Sequence, residues 1–365
     1  MNVIELFKYM IEQKSQTPDD GGLLDFITEY LEDFEVVRVD VEGVKNLFLY
    51  KKFGDGEHLC FAGHVDVVPA GEGWSSDPYK AVEKDGYIYG RGTQDMKSGV
   101  AAFVQALKET KNFNGTLSLL LTSDEEGEGT HGTIEMLRYL KEHDMLPCAA
   151  VVAEPTCEAV FGDAIKVGRR GSINGYITLK GKQGHAAYPE KGVNPINLIA
   201  PRLVGMAGVD LDNGDTFFAP SKFVITDIRA GMQVTNVTPN ELKMMFNVRN
   251  TTLTTQEEVR AFVAKNLEGL EYELTLTQGS YPFRTDVSSK VVKNIDAAIE
   301  RVTHIKPKHS TAGGTSDARY MALLGIDVVE FGVINDTIHA VNERTSRKEV
   351  EKLYEVFKNL IENWE

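Results

Sequence analysis

The sequence predicts an α/β protein interrupted by a smaller α+β unit. Three observations carry this expectation. Short apolar runs alternate with amphipathic helical patterns in the first half. The texture changes near residue 171 to a β-α-β-β-α-β order. The first texture then returns after about residue 283. At 365 residues the chain exceeds the size at which one core usually stops growing, which also favours two domains.

The elements read in order as follows. Ile4, Phe7 and Ile11 recur at helical spacing. This opening has no basic start and no long apolar run, so it reads as a helix and not as a signal peptide. The runs HLCFA (58–62), GTLSLLLT (115–122) and AAVVAE (149–154) read as buried strands. Between the first two, Val100, Phe103, Val104 and Leu107 mark one face of a helix beginning near Ser98. Such alternation implies a sheet covered on both faces, with ligand sites beyond the carboxyl ends of its strands.

In the middle, GSINGYITLKG (171–181) reads as a strand and NPINLIAPRLVGMAG (194–208) as a helix. KFVITDIRA (222–230) and NELKMMFNVRN (240–250) read as strands, TQEEVRAFVAKNL (255–267) as a helix and EYELTLTQ (271–278) as a strand. This is the order of a ferredoxin-like sandwich, inserted over about 171–283. Residues 1–170 and 284–365 then form one discontinuous domain. Its later part holds a helix at 289–302, a glycine-rich loop at 309–320, a strand at 326–332 and a last helix with Val350, Leu353, Tyr354, Phe357 and Ile361 on one face.

The formal net charge of −15 argues against nucleic acid and against anionic membrane surfaces as partners. No stretch approaches the roughly 18 apolar residues of a membrane span. Cys60, Cys148 and Cys157 are few and odd in number, which fits a reducing, cytoplasmic compartment better than a disulfide framework. Cys157 reads as a small buried residue rather than a ligand.

The chemistry gathers where strands end. His64 and Asp66 follow one apolar run, Glu125 and Glu126 another, and Glu154 a third; Asp95 sits in a glycine-flanked loop and His339 in the returning segment. Two imidazoles with several carboxylates form the N/O donor set suited to zinc. In an extended segment His64 and Asp66 point the same way, so Asp66 is expected to accept a hydrogen bond from the non-ligating ring nitrogen and so fix the tautomer. The two oxygens of Asp95 could bridge two cations. Glu125 and Glu126 are neighbours and diverge in extended backbone, which suggests that one ligates while the other takes a proton from water. Taken singly, each of these residues is more often an ordinary polar side chain.

The motifs GHVDVVPAGEGW, YGRGTQDMKSGVAA, TSDEEGEGTHGT, EPT, VGRRGSI, GHAAYPEKGVNPI, TNVTPNELKMMFNVR, STAGGTSDARY and NDTIHAVNE resemble the two-zinc aminoacylase and carboxypeptidase family over essentially the full length. VGRRGS and GGTSDARY narrow the resemblance to its desuccinylase branch. The resemblance implies a zinc-peptidase-like catalytic domain with an inserted dimerisation domain. It implies two Zn2+ per subunit, with Co2+ able to substitute. His64 and Glu154 would complete one site, Glu126 and His339 the other, and Asp95 would bridge. Asp66 would orient His64, Glu125 would be the general acid/base, and His185 would reach the reaction centre of a partner subunit in a homodimer. The family's peptide bond after the bridging Asp, here Asp95–Met96, is typically cis. His131, Gln94, Ser98 and Thr235 depart from the family pattern, and none of them is a metal ligand.

The implied substrate is a small N-succinyl amino acid, N-succinyl-diaminopimelate. An acidic protein that binds such an anion needs local cationic donors. Arg169 and Arg249 are the candidates, since a guanidinium forks onto a carboxylate. The AGGTSD loop, including Gly314 and Thr315, offers backbone N–H groups before a helix expected near Ser316. Ser172, Tyr188, Asn236 and Asn335 could add hydrogen bonds. Acetylornithine deacetylase is the nearest rival, with a more cationic substrate, and a peptidase of the same family is a further one. A metal-free binding or assembly protein of the same fold would lack ligands or base, and none is missing.

Overall fold

The computed structural model describes residues 1–364 and divides into two compact units. One comprises Met1–Gly168, Arg284–Ser310 and the chain from Ser316 onward. The other comprises Arg169–Phe283 with the loop Thr311–Thr315.

The first unit is built on an eight-stranded sheet. Its central strands Gly115–Thr122, Glu57–His64, Ala149–Val152 and Asp327–Glu330 run parallel, in that spatial order. Glu35–Arg38 and Asn46–Lys52 extend it antiparallel on one side. Ala164–Lys166 and Lys308–Ser310 complete the other side. The central strands are buried on both faces, which is why they read as continuous apolar runs without alternation. Helices Val3–Glu12, Lys97–Glu109, Lys290–Thr303 and Arg347–Glu362 pack against one another, while Thr133–Glu142 packs with Ala318–Leu323. The first of these helices is closed by a capping box, with Asn2 accepting from Ile4 and Glu5 and Glu5 reaching back to the Asn2 N–H.

Two sequence expectations shift here. The strand expected over 149–154 stops at Val152, so Glu154 lies in the irregular segment beyond it. Pro155 offers no N–H to a ladder and restricts the residue before it. The central helix starts at Lys97, one residue ahead of Ser98. Gly99 in its first turn lies against Ala153: a Cβ built there would stand 2.4 Å from the Ala153 Cβ and 2.5 Å from its carbonyl oxygen. The missing side chain lets this helix start close beside the Ala153–Glu154 segment.

The second unit carries a four-stranded antiparallel sheet in the order Lys222–Ala230, Glu241–Arg249, Ser172–Lys180, Tyr272–Ser280. With its helices the chain order is β-α-β-β-α-β. Glu241–Arg249 alternates buried and exposed positions, the mark of a sheet with one covered face. Leu242, Met244, Phe246 and Val248 pack with Ile173, Ile177, Leu179, Val259 and Val263 in its core. Gly175 leaves room for the Phe246 ring, which takes the space a Cβ would need. The helix expected over 194–208 is an α-helix only at Pro195–Ile199 and tightens into a 3-10 turn at Ala200–Gly205. Pro201 is the cause: it has no N–H to donate one turn back, and its ring crowds that carbonyl. A two-stranded antiparallel ladder, Gly184–His185 with Val237–Thr238, stands apart from the main sheet.

Candidate active site

Parallel topology brings the strand ends of the first unit together. His64 is the last residue of its strand and is fully buried. The adjacent parallel strand ends at Thr122, opposite His64, so its following turn delivers Glu125 and Glu126 beside the imidazole. The strand ending at Val152 delivers Glu154 in the same way. Asp95 comes from the loop before the Lys97 helix, and its bond to Met96 is cis.

The distances define the cluster. One oxygen of Asp95 lies 3.0 Å from His64 Nε2 and the other 3.2 Å from His339 Nε2. Glu154 Oε1 stands 3.7 Å from His64 Nε2, and Glu126 Oε1 stands 2.8 Å from His339 Nε2. Potential ligand atoms of His64, Glu125 and Glu154 all lie within 4.8 Å of one another, and so do those of His64, Asp95 and Glu126. Glu125 therefore reaches the donor cluster on the His64 side, while Glu126 turns to His339. The two glutamates sit in a turn and not in the extended backbone expected of them, so strand alternation does not account for the parting of their carboxylates.

The expectation for Asp66 needs correction. His64 Nδ1 meets the backbone carbonyl of Asp66 at 2.9 Å, whereas the Asp66 carboxylate stands 3.6 Å away. The strand ends at His64, so strict alternation no longer governs residue 66. The carboxylate instead accepts the backbone N–H groups of Glu126 at 3.1 Å and Glu125 at 3.4 Å. Asp66 thus holds the acidic turn, and its carbonyl holds the imidazole.

Charge makes this cluster a good fit for divalent cations. Asp66, Asp95, Glu154 and Asp317 are buried, with Glu125 and Glu126 beside them. Burial drives the Glu154 carboxyl well above its usual range, and repulsion from Asp95 and Glu125 adds to it. Burial likewise raises Glu125, helped by Asp317, Asp95 and Glu126. Burial lifts Asp66 to about 6. The imidazoles respond in the opposite sense. Hydrogen bonds to Asp95 and Glu126 raise His339 to about 10. Burial opposes a charge on His64, yet Asp95 and Asp66 still hold its pKa well above the ordinary value. Two protonated imidazoles are poor compensation for this many carboxylates, and cations would relieve the same repulsion while using the imidazoles as neutral ligands.

The second unit gathers other candidate residues in two groups. Arg169 is buried and donates to the Ala312 carbonyl at 3.3 Å, which sets its guanidinium against the loop that carries Gly314 and Thr315. At the two-stranded ladder and the chain that follows it, His185 and Tyr188 have ring centroids 5.7 Å apart, and the Ala186 N–H donates to the Asn236 carbonyl at 2.9 Å. His185 Nδ1 accepts the Ala187 N–H at 3.1 Å, which leaves Nε2 to carry the proton. Ser172 Oγ accepts from Asn247 Nδ2 at 2.9 Å, and exposed Arg249 follows two residues along the same strand. Asn335, in the first unit, is exposed and donates its N–H to the Cys157 carbonyl at 3.2 Å. The helix expected near Ser316 begins at Ala318 and has only 6 residues. Asp317 stands at its N-cap position and makes no side-chain hydrogen bond to the helix N–H groups.

Sequence reasoning missed Asn247, Asp317 and the buried pair Arg91–Glu343. Asn247, Arg91 and Glu343 lie inside motifs already noted, but none has a spacing that signals its partner.

This constellation belongs to a metallohydrolase class. The chain is a member of peptidase family M20/M25/M40, whose model matches residues 60–363. It is 81% identical to the succinyl-diaminopimelate desuccinylase of Sulfurimonas denitrificans, with 100% of both chains covered. Among solved structures it is similar to aminopeptidase PepT from Bacillus cereus, with TM-score 0.83, 22% identity, and 99% and 97% of the two chains covered. It is also similar to the YXEP protein of Bacillus subtilis, described as a dinuclear metal-binding peptidase of family M20, with TM-score 0.73, 16% identity, and 98% and 96% covered.

Proposed function

We propose that this chain hydrolyses the amide of N-succinyl-LL-2,6-diaminopimelate, releasing succinate and LL-2,6-diaminopimelate. The observation that carries the reading is Asp95, whose two oxygens face the two imidazoles at 3.0 and 3.2 Å. Full-length identity of 81% to a desuccinylase supports the substrate.

His64 and Glu154 would hold one divalent ion and Glu126 and His339 the other, with Asp95 placed to serve both; zinc suits these N/O donors. Such ions supply Lewis acidity to the scissile carbonyl and to the attacking water. Glu125 takes a proton from that water on a carboxylate oxygen. The water oxygen bonds to the carbonyl carbon, and the C–N bond breaks. Glu125 then returns the proton to the departing amine nitrogen.

His185 acts from a second copy of the chain, donating its Nε2 proton as a hydrogen bond to the carbonyl oxygen as charge grows there. Dimerisation through the second unit is supported by its edge strand Lys222–Ala230, where Val224 and Ile228 are 43% and 42% exposed. Arg169 and the Gly314–Thr315 loop read the succinyl carboxylate, with Ser172, Tyr188, Asn236, Arg249 and Asn335 as further polar contacts. A cytoplasmic location fits the three unpaired cysteines. Among the described residues no helix is long and apolar enough to cross a membrane.

The test is a parallel assay of zinc-reconstituted enzyme on N-succinyl-diaminopimelate and N-acetylornithine. Strong preference for the succinyl substrate is expected. Equal rates on both would overturn the assignment.

A further inference from the structure

Glu343 is fully buried in the turn that follows His339. One carboxylate oxygen accepts Arg91 Nη1 at 2.6 Å and the Gly92 N–H at 3.0 Å. The other accepts the Gln94 N–H at 2.7 Å and the Asp95 N–H at 3.3 Å. Arg91 is 2% exposed, and its other terminal nitrogen donates to the carbonyls of Ala70 at 3.2 Å, Pro69 at 3.4 Å and His339 at 3.2 Å. The pair therefore grips the chain just past His64 and Asp66, the loop that presents Asp95, and the backbone of His339 itself.

Gln94 adds a second tie between the same loop and turn. Its Oε1 accepts the Thr337 N–H at 2.9 Å, and its Nε2 donates to Asp336 Oδ1 at 2.5 Å and to the Arg344 carbonyl at 2.9 Å. These ties matter because His339 sits at φ +58°, a left-handed conformation that non-glycine residues adopt reluctantly. With its side chain 47% exposed, the ring has little packing to fix it. His64, fully buried and seated at a strand end, has no such need.

We propose that Glu343, with Arg91 and Gln94, is a positioning device that sets the spacing between Asp95 and His339 and thereby the affinity of the ion that His339 holds. A fold-stabilising pair could sit anywhere in a core. This one bonds the backbone of two donor residues, Asp95 and His339, and acts on no substrate atom. The inference rests on the two-metal reading above.

The test titrates metal-freed full-length protein with Co2+, followed by calorimetry and visible absorption. Glu343→Gln keeps the shape but sets an amide donor against two of the four N–H groups that the carboxylate accepts. Gln94→Met removes the second tie without leaving a buried charge unpaired, and it serves if the first variant does not fold. Each variant is expected to weaken one of two Co2+ equivalents about tenfold or more and to change the absorption band, as loss of a ligand-supporting contact typically does. The other equivalent should bind as in the unsubstituted protein, and kcat should fall more than KM rises. If folded variants bind both Co2+ equivalents with unchanged affinity and spectrum, while only the melting temperature of the metal-free protein drops, the pair is structural and the proposal fails. If the unsubstituted protein itself binds no Co2+, the two-metal reading falls and takes this inference with it.

Discussion

The donor cluster of the first unit and the polar two-stranded ladder of the second are built on opposite terms. His64, Asp95 and Glu154 are buried at parallel strand ends or in a loop clamped by Glu343, so their positions follow from the sheet and its ties. His185, Tyr188 and Asn236 are exposed in or beside a two-residue antiparallel ladder, held by a few backbone bonds. Burial raises the cost of each charge in the first region and fixes the positions of its side chains. Exposure in the second leaves side chains free to meet something from outside, a substrate or another copy of the chain.

The sharpest way to test this contrast is at the proposed base. Glu125→Gln should lower turnover by about 10^2–10^4-fold while both metals stay bound, since it removes a proton acceptor and no ligand. Metal content and rate measured on one sample decide it, and near-normal turnover would remove Glu125 from the mechanism. His64→Ala and His339→Ala should instead each lower metal stoichiometry, read by elemental analysis after dialysis.

Across the second unit the expected effects are smaller. Arg169→Ala should cut the rate on the succinyl substrate by about a hundredfold, the order expected when one partner of a desolvated ion pair is removed. It should barely change the rate on the acetyl analogue. Equal losses on both would assign Arg169 a role other than reading the succinyl carboxylate. Mixing His185→Ala with Glu125→Gln protomers should recover activity if His185 acts across a dimer, because the Glu125→Gln chain still offers an intact His185 to a site that keeps Glu125. No recovery after verified subunit exchange would count against that arrangement.

Two predictions concern stability alone. Burial lowers the His58 pKa from 6.5 to about 4, where the ring contacts Ser118 Oγ at 2.7 Å and packs against Phe48. The unfolded chain therefore takes up a proton at higher pH than the folded one. Stability should fall as pH drops from 6.5 and level off below about 4, with a total loss of roughly 3 kcal/mol. His58→Gln should flatten that part of a denaturation series. The smallest effect is expected at the capping box of Gln256–Asn266, where Thr255 accepts the Glu257 N–H and Glu258 reaches back to the Thr255 N–H. Thr255→Ala should cost about 1 kcal/mol, measured by the denaturation midpoint.

How much of this could be read from the chain follows from how local each signal is. The buried strands announce themselves as apolar runs, and a polar residue directly after such a run, as at His64, is visible without a structure. The order of elements in the second unit was legible for the same reason. Pro201 carried enough information to shorten the helix after Asn194, but the surrounding apolar spacing outweighed it. Asp66 lies past the end of its strand, where alternation no longer gives the direction of a side chain. The Arg91–Glu343 pair spans 252 positions, and no local pattern links its members. Asn247 lies on a strand whose alternation predicts its face but not its contact with Ser172.

Gly99 shows where such non-local information would surface in an experiment. It bears no side chain and has no part in proton transfer or metal binding. Yet any Cβ at that position would collide with Ala153, one residue before Glu154. The helix that follows Asp95 would have to move away from the segment that carries Glu154. In a saturation scan of this chain, position 99 should therefore score with the metal donors and not with ordinary helix positions. Such a map would mark a steric contact as though it were a chemical one, and alanine, the mildest replacement available, should already reveal it.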